Sequence, residues 1–131
     1  VLQRKKLGNL VFSDKDALAD LNNITHTAVK AEVLRRLEGV SFGAIDAIGL
    51  IEGGLAELCD VTVAVTAPVE DRVNRLMLRD GISEEYARAR IAAQHPDSWF
   101  REHCDACLEN CEKKDAFATN CLAFLYTLGI M

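Results

Sequence analysis

The sequence predicts an α/β fold, in which a small parallel sheet is flanked by helices and followed by a helical lid. Three observations lead there. Residues 44–51 and 60–66 are short apolar runs without clean alternation, as in strands buried on both faces of a parallel sheet. Helical spacing of apolar residues recurs before and after them, and strands alternating with helices favour parallel pairing. Directly after the second run, Arg72, Arg75 and Arg79 fall on one face of a helix.

The 131 residues suffice for one domain. With 50% hydrophobic and 27% charged residues, the chain has neither a disordered nor a membrane composition. No apolar run approaches the ~20 residues that span a bilayer. The opening VLQRKKLGNLVF lacks the apolar core and cleavage site of a signal peptide, and its start without Met suggests a fragment. A net charge of −5 argues against non-specific binding to nucleic acid or anionic membranes. Five cysteines and no secretory segment imply reduced thiols in a cytoplasmic protein.

In chain order, Ser13 is expected to cap a short helix, with Asp16 as its capping-box partner. Leu18, Leu21 and Ile24 supply its stripe, and it should end near Asn22-Asn23. A second helix is expected from Thr25 to Glu38, burying Val29, Val33 and Leu37, with Gly39 at its C′ position. The strand at 44–51 is broken by Gly53-Gly54. In the second strand, DVTVAVT, β-branched residues dominate. Pro68 starts the next helix, Glu70 and Asp71 suit its N-terminal dipole, and Val69, Val73, Leu76 and Met77 form its buried side.

Asp80-Gly81 reads as a turn and Ser83 as the cap of a following helix. That helix has a thin apolar stripe of Ile82, Tyr86, Ala89 and Ala93, with Arg88 and Arg90 projecting elsewhere. So weak a stripe suits a movable flap. Pro96 ends it. Residues 97–103 read as helix, CDACLEN as a short strand, and 114–128 as a final helix burying Phe117, Cys121, Phe124, Leu125 and Leu128.

The arginine face is the chief candidate site. On an arbitrary helix such a face is usually solvated surface laced with Glu/Arg pairs. Here it follows the C-terminal end of a strand, where open α/β sheets place ligands. Guanidinium forks match phosphate oxygens bidentately and stabilise a phosphoryl group in transfer. His103, Cys104, Cys107 and Cys111 contain a Cys-x-x-Cys spacing, but no second ligand pair lies nearby, so buried thiols are the expectation rather than a metal site. Glu52, at the ligand end of the first strand, is a candidate for substrate contact or a loop cap. His26 could touch ligand or cap a helix. No G-x-x-x-x-G-K-[ST] occurs in the chain, so nothing obviously cradles β- and γ-phosphates.

Four blocks carry a family resemblance: LGNLVFSDKDALADLNNITHTAV, IGLIEGGLAELCD, VAVTAPVEDRVNRLMLRDGISEEYARARIAAQ and CDACLEN. In order and spacing they resemble dephospho-CoA kinase, over nearly the whole chain. The most specific part is Arg75-x-x-x-Arg79-Asp80 followed by Arg90-Ile91 and Gln94.

The resemblance implies a partial P-loop nucleoside/nucleotide-kinase-like parallel sheet, with ATP, Mg²⁺ and dephospho-CoA as ligands and no nucleic-acid or membrane partner. It puts Arg75, Arg79, Arg90 and Gln94 on a lid closing over ATP, and Asp105 and Asn110 near the nucleotide base. Asn22, Asn23, His26 and Glu52 fall on the CoA-substrate side. It divides the chain into substrate-side helices (1–40), core strands and helix (41–79), lid (80–101), and last strand with C-terminal helix (102–131). The sequence departs from the family where His26-Thr27 replaces His-Pro and Ile48-Gly49-Leu50 replaces Pro-Leu-Leu.

The family's P-loop and general base match no residue here, so no catalytic residue is assigned and the 131-residue chain is expected to be inactive alone. Its open strand edges should close together or pair with another copy. Two other readings stay open: a non-catalytic relic that binds a nucleotide or a partner, and a different P-loop kinase with an arginine lid.

Overall fold

The computed structural model describes residues 1–111 and 113–130. The chain forms two compact units, Val1–Cys59 and Asp60–Met131.

The first unit is built on two helices packed together, α1 (Arg4–Ser13) and α2 (Lys15–Leu37). The N-terminal helix was not expected. The cap of α2 lies one residue later than predicted. Asp14 is extended, and its Oδ1 accepts from the backbone N–H of Asp16 at 2.9 Å and of Ala17 at 3.1 Å. Its charge also suits the helix N-terminus. Ser13 instead ends α1, its hydroxyl reaching back to the carbonyls of Asn9 and Leu10, each at 2.9 Å.

The break expected at Asn22-Asn23 is absent, and α2 runs through it. Asparagine inside a helix costs at most about 0.7 kcal/mol relative to Ala, too little to stop one supported on both sides. Thr25 donates its hydroxyl to Leu21 O at 2.8 Å and Asn22 O at 3.1 Å, so its side chain stays within the helix. The expected stripe is only partly covered: Val33 and Leu37 are half-buried, whereas Val29 is 48% exposed. Gly39, at φ 72°, ends the helix in the left-handed conformation that glycine adopts without strain.

The strand expected at 44–51 does not form. Residues 43–47 are irregular, 48–54 are turns, and Ala56–Leu58 is one 3₁₀ turn. Leu50 O accepts from both Leu55 N (2.9 Å) and Ala56 N (3.0 Å), and Gly49 O from Gly53 N (2.8 Å). The backbone groups of a strand must be satisfied by neighbouring strands. Turns satisfy these locally, Gly54 at φ 71° making the reversal possible. Leu55 becomes the buried apolar residue of this segment.

The second unit holds the sheet. Strand β1 (Val63–Thr66) pairs in parallel with β2 (Ala106–Glu109), Val63 opposite Ala106 and Thr66 opposite Glu109. Burial along β1 alternates: Ala64 and Thr66 are buried while Val65 is 62% exposed. Burial on both faces, expected from the apolar run, is therefore corrected to one covered face. Between the strands lie α3 (Val69–Asp80), α4 (Glu84–Ala92) and α5 (Asp97–His103), and α6 (Lys114–Thr127) follows β2.

Helix α3 packs on α4. Val73 is its buried residue at 2% exposure, while Val69, expected inside, is 48% exposed. In α4 the buried position is Ala87, fully covered, rather than the expected stripe; Tyr86, Ala89 and Ala93 are exposed. A methyl side chain there lets the helices approach closely. The residues expected to be buried in α6, Phe117, Cys121, Phe124, Leu125 and Leu128, are half-buried. Along α5 the indole of Trp99 is stacked on His95 (ring centroids 3.9 Å, planes 11° apart) and on His103 (4.1 Å, 21°).

Candidate nucleotide-binding arginines

The arginines are set out by α3, its turn and α4. Pro68 caps α3, and Glu70 and Asp71 lie in its first turn. Gly81, at φ 64°, ends it, donating its N–H to Met77 O at 3.0 Å. A residue with a Cβ is strained in that conformation. Two residues later Ser83 caps α4, its Oγ accepting from Tyr86 N at 3.3 Å.

Across this hairpin one carboxylate holds two guanidiniums. Arg79 donates from Nε to Asp80 Oδ1 at 2.7 Å and from Nη2 to Oδ2 at 3.1 Å. Arg90 donates from Nη1 to the same Oδ2 at 2.7 Å. Hydrogen bonds from Arg79 and then Arg90 hold the Asp80 carboxyl well below the usual carboxylate range. Arg88 is committed elsewhere, with both Nη groups on Glu70 at 2.9 Å and its Nε on Glu84 at 2.9 Å. Those carboxylates push its pKa further up.

Arg75 donates to the carbonyl of Asn110 at 2.9 Å, so α3 touches the chain leaving β2. Gln94 is held by Arg72, which also reaches Asp97 at 3.5 Å. Asp105 clasps the start of the sheet: its Oδ2 accepts from both the N–H and the hydroxyl of Thr62, each at 2.7 Å, and its own N–H donates to Thr62 O at 3.0 Å. The Thr62 side chain, then its backbone N–H, draw the Asp105 pKa down.

Of the sequence candidates, the structure thus joins Arg75 to Asn110, and Arg79 to Arg90 through Asp80. Gln94 and Asp105 have other partners. In the first unit, Asn22, Asn23 and His26 lie on neighbouring turns of α2. A Cβ on Gly53 would come within 3.6 Å of the His26 ring, so the turn carrying Glu52 lies against the same helix.

Sequence reasoning gave no site role to Asp80 or Asp97. Asp80 did stand in the Arg75-x-x-x-Arg79-Asp80 block, but only the turn at Gly81 brings it within reach of Arg90. Cys107, Cys111 and Cys121 are free thiols, and no group of His, Cys, Asp or Glu among the described residues could hold a metal ion. No helix among them is long and apolar enough to cross a membrane.

A short parallel sheet flanked by helices, with an arginine-bearing helical hairpin beyond its first strand, defines a piece of a P-loop kinase fold. Comparison with known proteins agrees. Against a Thermus thermophilus protein solved by crystallography, the chain aligns at TM-score 0.79 and 32% identity, covering 97% of this chain and 68% of that one. Against the dephospho-CoA kinase from Campylobacter jejuni the TM-score is 0.66 at 27% identity, covering 99% and 68%.

The family model for dephospho-CoA kinase matches residues 1–115, and the chain belongs to that family. Among curated relatives, the dephospho-CoA kinase of Corynebacterium diphtheriae is 36% identical over 119 residues, 87% of this chain and 60% of the relative. That of Geobacillus kaustophilus is 33% identical over 129 residues, 95% and 64%. That of Streptomyces avermitilis is 46% identical over 99 residues, 71% and 47%. The chain thus spans about half to two thirds of the length of these relatives.

Proposed function

We propose that these residues serve a cytoplasmic dephospho-CoA kinase, in which the 3′-hydroxyl of the dephospho-CoA ribose attacks the γ-phosphorus of ATP. A new P–O bond forms to the ribose, the bond to the β–γ bridging oxygen breaks to leave ADP, and the hydroxyl proton leaves to a base. Arg75, Arg79 and Arg90, with Gln94, form the lid over the ATP phosphates. Asp105 and Asn110 lie towards the base, and Asn22, Asn23, His26 and Glu52 serve the CoA substrate. None of these is assigned the general base.

The observation that carries the reading is the pairing of Arg79 and Arg90 at one carboxylate, 2.7 Å from each helix's guanidinium. Two cations held side by side can neutralise charge that spreads over a transferring phosphoryl group, already oriented before it arrives. The donor set fits a polyphosphate. Mg²⁺ would be held mainly by the nucleotide phosphates, its usual mode in kinase sites, and would neutralise part of their charge.

The test is ADP formation from Mg-ATP and dephospho-CoA. A dephospho-CoA kinase carrying this segment should turn over, and Arg79→Ala and Arg90→Ala should each lower kcat by a factor of about ten or more. Unchanged kcat in both variants would refute the lid assignment. The isolated 131 residues should show no turnover. Calorimetry with dephospho-CoA against nucleosides distinguishes this substrate from those of other kinases. The edge of β1 that is not paired with β2 further supports self-association of the isolated chain, which light scattering reads directly.

A further inference from the structure

We propose that Asp80 is a positioning residue of the lid: its carboxylate clasps Arg79 and Arg90 together so that they meet a polyphosphate as one paired donor. The inference rests on the lid reading above.

Arg79 spends its Nε and one Nη2 hydrogen on Asp80, which leaves its Nη1 edge to face a ligand. Arg90 spends a hydrogen of Nη1 and keeps Nε and Nη2. Each guanidinium is therefore oriented while still offering donors. The Asp80 side chain is only 26% exposed, less than those of the arginines it holds (69% and 43%). It is thus the less exposed centre of a surface cluster, and the arginines are its more open rim. Arg79 sits one residue before the turn and Arg90 ten residues after Asp80, on the facing helix. The clasp therefore also ties α4 to the end of α3. Without it, two guanidiniums would repel and sample separate rotamers, and a ligand would have to order both on binding. Arg88, tied to Glu70 and Glu84, provides an internal control that is outside the pair.

Three measurements on the 131-residue chain decide it, with inorganic tripolyphosphate as the probe at low ionic strength. In calorimetry, Asp80→Asn should weaken binding by about threefold to fivefold, the size of an exposed charge-pair effect, and Asp80→Glu should restore part of it. Amide exchange in residues 84–92 should quicken in Asp80→Asn while helix content is retained. In the unaltered chain, the guanidinium resonances of Arg79 and Arg90 should shift together with one affinity, and that of Arg88 should stay still. That third readout needs no variant, so a misfolded Asp80→Asn does not spoil the test.

Equal or tighter binding by Asp80→Asn would make Asp80 a mere competing counter-ion and overturn the proposal. So would unaltered exchange in α4, or separate titration of the two arginines. Failure of the unaltered chain to bind tripolyphosphate at all would instead refute the lid reading on which the proposal stands.

Discussion

The two apolar runs, 44–51 and 60–66, looked alike and behave differently. The second pairs with residues 106–109 and becomes β1; the first folds into turns closed on Leu50 and Gly49. The difference lies outside the runs. Strand 60–66 has a partner in register, fastened at its start by Asp105 on Thr62 and at its end by Asn110 N on Thr66 O at 2.7 Å. Nothing among the described residues offers 44–51 such a ladder, and four glycines at 43, 49, 53 and 54 ease its reversal. A strand is a property of a pair, so apolar content alone does not make one.

The same contrast runs through the two units, and substitutions can break or sharpen it. In the second unit, Val73→Ala truncates the largest fully buried side chain among the described residues and should cost about 2 kcal/mol, read as a lower urea midpoint. Ala87→Leu should cost about 1–3 kcal/mol by forcing α3 and α4 apart. Gly81→Ala places a Cβ at φ 64° and should cost about 1 kcal/mol, again in the denaturant midpoint.

In the first unit, the strongest local effect should be acid-dependent. Glu32, bonded by Arg35 and then Arg36, has its carboxyl drawn down from 4.5 to about 2. Its support for the end of α2 is therefore complete above pH 4.5 and lost as pH falls through about 2. Helical signal from α2 should fray over that window, and Glu32→Gln should abolish the dependence. The smallest effect is expected at Ile48, 96% exposed in the turns: Ile48→Ser should change stability by less than about 0.5 kcal/mol. A large loss there would mean that 44–51 is packed after all.

What could be read in advance follows the range of the interactions. Helices α3 to α6, the Ser83 cap and the Gly39 terminus depend on neighbours in sequence, and their residues announced them. Asp14 displacing Ser13 as cap, and α2 passing through Asn22-Asn23, turned on small local preferences between adjacent residues. The burial of Ala87 rather than the Tyr86 stripe, and the alternation along β1, depended on what packs opposite. In the site, the arginines were visible as residue types on one face. Their pairing through Asp80, and the diversion of Gln94 to Arg72, needed the turn geometry at Gly81 that no periodicity reveals.

The stacking of Trp99 on His95 and His103 has a practical side. It is the chain's single tryptophan, so all indole emission comes from one place. Imidazole rings 3.9 and 4.1 Å away make that emission sensitive to how the rings lie. Asp97, which Arg72 contacts, starts the helix that carries the indole, and Gln94 immediately precedes His95. The protein therefore carries a built-in optical probe beside the arginine-bearing hairpin, and ligand titrations can be followed without any added label.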